Sequence, residues 1–171
     1  MNLHPARIGI LSLAALLLLS GPAAAESKLI DVFGDWNAFT DTENGQKICY
    51  IGSAPTKEEG KYSKRGDTFI LVTHRPAEKS VGVISIAAGY TYKKDSDVQV
   101  IIGGKTFALF SNGDHGWAED AKTDRALVRA MRGGSKMAVK GVSARGTRTT
   151  DTYSLKGFTA AYKAASTACG L

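Results

Sequence analysis

Few residues in this chain have the type and spacing that chemistry demands. Cys49 and Cys169 stand 120 positions apart, outside any Cys-x-x-Cys motif and with no histidine beside either. A catalytic thiol needs a neighbour that lowers its pKa, and a zinc site needs clustered ligands. Neither need is met here, so a disulfide is the better reading. His74 ends an apolar run and precedes Arg75-Pro76, which suits a structural or solvated position at a strand end. His115 lies in Asn112-Gly113-Asp114-His115-Gly116, ahead of Trp117. Asp114 and His115 could contribute to a metal site, but two adjacent residues do not make a zinc or calcium spacing, and a polar loop is expected. No serine occupies a Gly-x-Ser-x-Gly elbow. Gly103-Gly104 and Gly133-Gly134 fall in neither phosphate-binding pattern and read as a turn and a helix stop. We therefore predict no catalytic residue, no metal ligand and no cofactor.

One feature rises above this background. Arg125, Arg129, Arg132, Lys136, Lys140, Arg145 and Arg148 follow one another with no acidic residue between them. Such a run is either a solvated helix and strand face or a patch for an anionic partner, such as a lipid phosphate or an acidic protein surface.

The elements that must position these residues are mostly strands. Short β-branched or aromatic runs are divided by Gly, Asn, Asp and Pro. They cover Leu29–Phe33, Trp36–Thr40, Lys47–Ile51, Thr68–His74, Val81–Ala87, Val98–Ile102, Lys105–Phe110, Lys136–Val142 and Thr147–Leu155. Gly103-Gly104 and Asn44-Gly45 mark hairpin turns, whose central residues need positive φ. In Lys136–Gly141, Met137 and Val139 alternate with the lysines, so one face is apolar and the other wet. A sheet with one apolar face needs a second layer, which argues for a sandwich. Trp36, Trp117, Phe107 and Phe110 are expected to pack its core.

Two segments carry helical periodicity instead. Over Thr123–Met131, Leu127, Val128 and Met131 share one face while Arg125, Arg129 and Arg132 share the other. Acidic residues at 119, 120 and 124 favour its N-terminus and Gly133 its stop. A second helix is predicted over Lys156–Ala168, capped by Ser154, with Phe158, Tyr162 and Ala165 facing inward. Ala54–Gly66, with Pro55 and scattered charges, reads as an exposed loop. The predicted fold is mainly β: an antiparallel sandwich with a short internal helix and a C-terminal helix.

The chain opens with Arg7, an apolar run from Ile8 to Leu19, a break at Ser20-Gly21-Pro22, and small residues at Ala23 and Ala25. This order is that of a secretory signal peptide over residues 1–25, cleaved between Ala25 and Glu26. At ~1.5 Å per residue the run covers only about 18 Å of a ~30 Å hydrocarbon core, too little to span it. Cleavage leaves residues 26–171, the usual length of one domain, and removing Arg7 takes the formal net charge from +6 to +5. Export places Cys49 and Cys169 where disulfides persist, and with two cysteines only one intramolecular pairing exists. Nucleic acid is a poor partner in that setting.

Gly34-Asp35-Trp36, then Cys49, Val72-Thr73-His74-Arg75-Pro76, Gly89-Tyr90-Thr91-Tyr92 and Leu127-Val128-Arg129-Ala130-Met131 stand in one order along the chain. Arg145-Gly146-Thr147, Asp151-Thr152-Tyr153-Ser154-Leu155-Lys156-Gly157-Phe158 and Cys169 complete the pattern. Together they resemble the invasion-associated locus B family, with the Asp-Thr-Tyr-Ser-Leu-x-Gly-Phe segment the most specific part. The resemblance implies an exported, β-rich envelope protein of Gram-negative bacteria, associated in some pathogens with host-cell invasion. It brings no catalytic residues. The resulting expectation is a non-enzymatic interaction protein, periplasmic, secreted or outer-membrane associated, whose partner is an envelope or host protein or an anionic lipid. The alternative is a periplasmic small-molecule or lipid binder, or a hydrolase, with a pocket in the sandwich.

Overall fold

A computed structural model describes residues 27–171. The predicted leader and its expected cleavage site lie outside the described residues. In chain order the elements are β1 (Lys28–Phe33), β2 (Trp36–Glu43), β3 (Gln46–Ser53), β4 (Lys57–Gly60) and β5 (Phe69–Arg75). A 3-10 turn (Pro76–Glu78) leads to β6 (Ser80–Ala87), β7 (Val98–Ile102), β8 (Lys105–Asn112) and β9 (His115–Trp117). Then follow α1 (Ala121–Gly133), β10 (Lys136–Val142), β11 (Arg148–Ser154) and α2 (Phe158–Ala168). All strand pairs are antiparallel, in the spatial order β1-β2-β3-β5-β6-β9-β8-β7-β10-β11-β4.

The sheet turns its corner in β8. Residues 105–109 pair with β7, whereas residues 110–112 pair with β9, so one strand serves two layers. Between the layers lie Trp36, Ile51, Val72, Ile86, Val100 and Tyr153, all buried. Alternation predicts this well where one face is wet: Met137 and Val139 are buried and Lys136 and Lys140 exposed. The Gly103-Gly104 and Asn44-Gly45 turns both have positive φ. Among the described residues, no helix is long and apolar enough to cross a membrane.

Four expectations need correction. Ala54–Gly66 is not wholly loop, because Lys57–Gly60 forms the edge strand β4 beside β11. All four of its residues are exposed, so it shows no apolar alternation, and its charges suit an unprotected edge. His115 belongs to the short strand β9 rather than to a loop. Phe110 is 48% exposed, because in β8 only Leu109 is fully turned into the core. Finally, α2 starts at Phe158 with Gly157 at its N-cap, φ +93. A Cβ at Gly157 would overlap the Phe33 carbonyl, so this helix start is closed to any residue but glycine. Ser154 instead accepts a hydrogen bond from the Lys156 N–H at 3.2 Å, before the helix begins.

Helix α2 closes one end of the core. Its Phe158 ring meets Trp36 edge-on with centroids 5.0 Å apart, and Ala161, Tyr162 and Ala165 are buried behind it. The C-cap residue Cys169 is joined to Cys49 of β3 by a disulfide.

Candidate functional site

His74 and His115 have structural partners. His74 is fully buried. Its Nδ1 accepts the Gly82 N–H at 3.1 Å, its Nε2 lies 3.2 Å from Ser166 Oγ, and its ring meets Tyr162 edge-on. A Ser–His contact invites comparison with an activated nucleophile, but the tautomer is wrong for one. Because the backbone donor occupies Nδ1, the ring proton sits on Nε2, which donates to Ser166 rather than taking its proton. Burial also pushes the His74 pKa down, keeping the ring neutral. At β9, His115 Nδ1 contacts Asp114 Oδ1 at 2.7 Å, and that hydrogen bond lowers the Asp114 pKa. Among the described residues, no group of three or more His, Cys, Asp or Glu side chains is placed to hold a metal.

The helix α1 is positioned by two aspartates. Asp120 caps it, accepting the Thr123 N–H at 2.7 Å, and hydrogen bonding from Thr123, side chain first and backbone second, lowers the Asp120 pKa. Asp124, one turn on, is buried and accepts the Ile84 N–H of β6 at 3.0 Å. Burial raises the Asp124 pKa despite that bond. The contact has a topological reason. Strand β9 pairs only with residues 85–87 of β6, so among the described residues the outer edge of Ser80–Ile84 has no strand beside it and faces α1 instead.

Between that edge and the helix runs a groove of about 460 Å³. Four cations line it: Lys79, Arg125, Arg129 and Arg132. Val81, Val83 and Val128 supply apolar wall, and Tyr162 closes one side, with the Arg132 guanidinium 4.6 Å from its ring centroid. Among the described residues, none of the four cations is in an ion pair. Lys79 escaped sequence reading. It sits at a left-handed position, φ +55, after the 3-10 turn, and only tertiary packing brings it opposite α1.

The seven-residue basic run therefore divides. Arg125, Arg129 and Arg132 share the groove, while Arg145 lines a different cavity that has no residue in common with it. Lys136 and Lys140 stand on the outer face of β10, and Arg148 begins β11; all three are exposed and line neither space.

The other cavity, about 570 Å³, lies among the β4–β5 loop, the segment after β6, and the β10–β11 turn. Its base is an ion pair that sequence reading missed. Arg65 Nη1 and Nη2 donate to the two Asp151 oxygens, each at 2.6 Å, and Nε donates to the Ala88 carbonyl at 2.6 Å. Both side chains are under 5% exposed. Burial opposes the Arg65 charge, but Asp151 outweighs it and holds the guanidinium protonated. The two residues are 86 positions apart, and no local signal links them.

Comparison with known proteins agrees with this architecture. No curated protein matches the chain. Among solved structures, the chain is similar to the crystal structure of invasion associated protein B from Bartonella henselae. The TM-score is 0.55 at 13% identity, covering 86% of this chain and 98% of that one. That likeness concerns the fold. The model of the invasion associated locus B (IalB) family matches residues 36–166, from Trp36 at the start of β2 to Ser166 in α2. With three quarters of its length matched, this chain belongs to the IalB family.

Proposed function

We propose that this protein is an exported, non-enzymatic interaction protein of the cell envelope, with residues 26–171 as one domain and the α1–β6 groove as the surface that docks an anionic partner. The observation that carries the reading is the convergence of Lys79, Arg125, Arg129 and Arg132 on one groove without a carboxylate partner. Like charges held together in a cleft raise the local concentration of a counter-charged ligand. The second wall favours an acidic protein segment over a lipid headgroup. Val81 and Val83 make that wall apolar beside the cations of α1, so a chain carrying both acidic and apolar side chains fits it better than a bare charged headgroup does. The disulfide between Cys49 and Cys169 is consistent with an extracytoplasmic location. The names of the family and of the Bartonella protein both speak of invasion, and we extend a host-contact setting to this chain.

The test is a photo-crosslinking residue placed at position 129, with position 140 on the outer face of β10 as the control. Position 129 should capture an acidic envelope or host protein that the control position does not. Equal capture at both positions, or capture of lipid alone, would overturn the docking assignment.

A further inference from the structure

The cavity above the Arg65–Asp151 pair has the composition of a ligand site distinct from the α1 groove. We infer that it binds an acidic saccharide, a sugar carrying a carboxylate. No carboxylate lines it: Asp151 lies beneath, bonded to Arg65, whose Nη1 also lies 3.5 Å from Glu58 outside the lining, while Lys61, Lys64 and Arg145 converge on the space. Among the described residues these three cations have no ion-pair partner. Cations gathered around a concave space without an acid repel one another, and an anion in their midst relieves the repulsion.

Charge alone would accept any anion. The rest of the wall narrows the class. Ser63, Thr91 and Thr147 line the cavity, and their hydroxyls make no hydrogen bond to another described residue, which leaves them free for a ligand rich in hydroxyls. Two tyrosines supply the apolar component against which the C–H face of a sugar ring can rest. Arg65 holds both, its guanidinium 5.4 Å from the Tyr62 ring centroid and 5.1 Å from that of Tyr90. The Tyr90 hydroxyl is fixed in turn by Thr149 Oγ1 at 2.6 Å. The volume, about 570 Å³, suits a small ligand rather than a protein surface.

The walls are also tied together before any ligand arrives. The Gly66 N–H donates to the Gly89 carbonyl at 2.8 Å, and the Ala144 N–H donates to the Thr91 carbonyl at 2.8 Å. Gly89 has φ +68, and a Cβ there would overlap the Gly66 carbonyl, so the two loops meet at a distance only glycine permits. A site rigid in advance loses less entropy on binding.

Amide chemical shifts of the mature protein, titrated with D-glucuronic acid and separately with D-glucose and with acetate, test the assignment. Glucuronic acid should shift the Gly66, Gly89, Ala144 and Gly146 amides, and at equal concentration each control should shift them less. Lys64→Gln and Arg145→Gln, both at exposed positions, should each weaken binding about ten-fold, whereas Arg125→Gln should leave it unchanged. Three results would each overturn the inference: no shift at these amides, acetate matching glucuronic acid, or both cavity variants binding like the parent. Failure here leaves the α1 groove untouched, because the two spaces share no residue.

Discussion

Cys49 and His74 stand directly opposite each other in the β3–β5 pair, and each reaches out to the same helix. Cys49 is bonded to Cys169, and His74 Nε2 lies 3.2 Å from Ser166 Oγ, less than one helical turn earlier. One cross-strand pair thus fastens the end of α2 twice, once covalently and once by hydrogen bond. The disulfide closes a loop of 120 residues, for which the chain-entropy account gives about 4–5 kcal/mol. Cys169→Ser should therefore lower the unfolding free energy by a few kcal/mol in urea titration while leaving the native circular dichroism intact, because Phe158, Ala161 and Ala165 still bury the helix. A variant as stable as the parent would mean that the reduced chain keeps the constraint by other means.

His74 gives the second tie a pH dependence whose sign follows from burial. The folded state holds its pKa below the ordinary 6.5. Above that value both folded and unfolded states carry a neutral ring, and no linkage arises. As pH falls below 6.5, the unfolded chain takes up the proton first, so stability declines. Asp124 acts in the opposite sense, since its raised pKa lets the folded state bind a proton before the unfolded one does. Unfolding measured from pH 7.5 down to 5.5 should show a loss that His74→Gln flattens. An unchanged slope in that variant would assign the titration to another group.

The groove depends on Asp124, because that carboxylate is the polar link between α1 and the open edge of β6. Removing the acceptor leaves the Ile84 N–H without a partner in the interior. Asp124→Ala should cost about 1–3 kcal/mol, the desolvation penalty of an orphaned donor, and should increase exchange of the Ile84 amide. Asp124→Asn keeps an acceptor and discards a charge that burial disfavours, so it should restore most of the loss. Equal destabilisation by both variants would show that the charge rather than the hydrogen bond holds the helix.

What could be read from the residues divides along a physical line. Alternation exposed the strands with one wet face, and three-to-four periodicity placed Arg125, Arg129 and Arg132 together, because both patterns are local. The edge strand β4 has no buried side and therefore no pattern. Three further features arise from contacts between distant segments. Lys79 joins the groove from a left-handed turn, Gly157 is required by the Phe33 carbonyl, and Arg65 finds Asp151 across 86 residues. The long basic run misled in one respect. Nearness in sequence suggested one patch, whereas the turn between β10 and β11 carries Arg145 to a separate cavity.

The arginines of α1 separate binding from structure. Arg125 and Arg129 stand on the exposed side of the helix, and Arg132 rests on Tyr162, a contact worth about 0.5–1 kcal/mol at such a site. Leu127, Val128 and Met131 hold the opposite face in the core. Replacing all three arginines with glutamine should thus leave the fold standing, with a loss of about 1 kcal/mol at most. If the groove docks an acidic segment, capture of that partner should weaken, and what remains should respond less to salt, because screened contacts with these charges supply the attraction. Pull-down of the partner across a salt series, with thermal unfolding of each variant alongside, reads both quantities. Capture that is unchanged at every salt concentration would return these arginines to the role of a solvated helix face. A variant that fails to fold would instead show that the Arg132–Tyr162 contact holds α1 against α2, a role that Arg132→Gln alone would then reproduce.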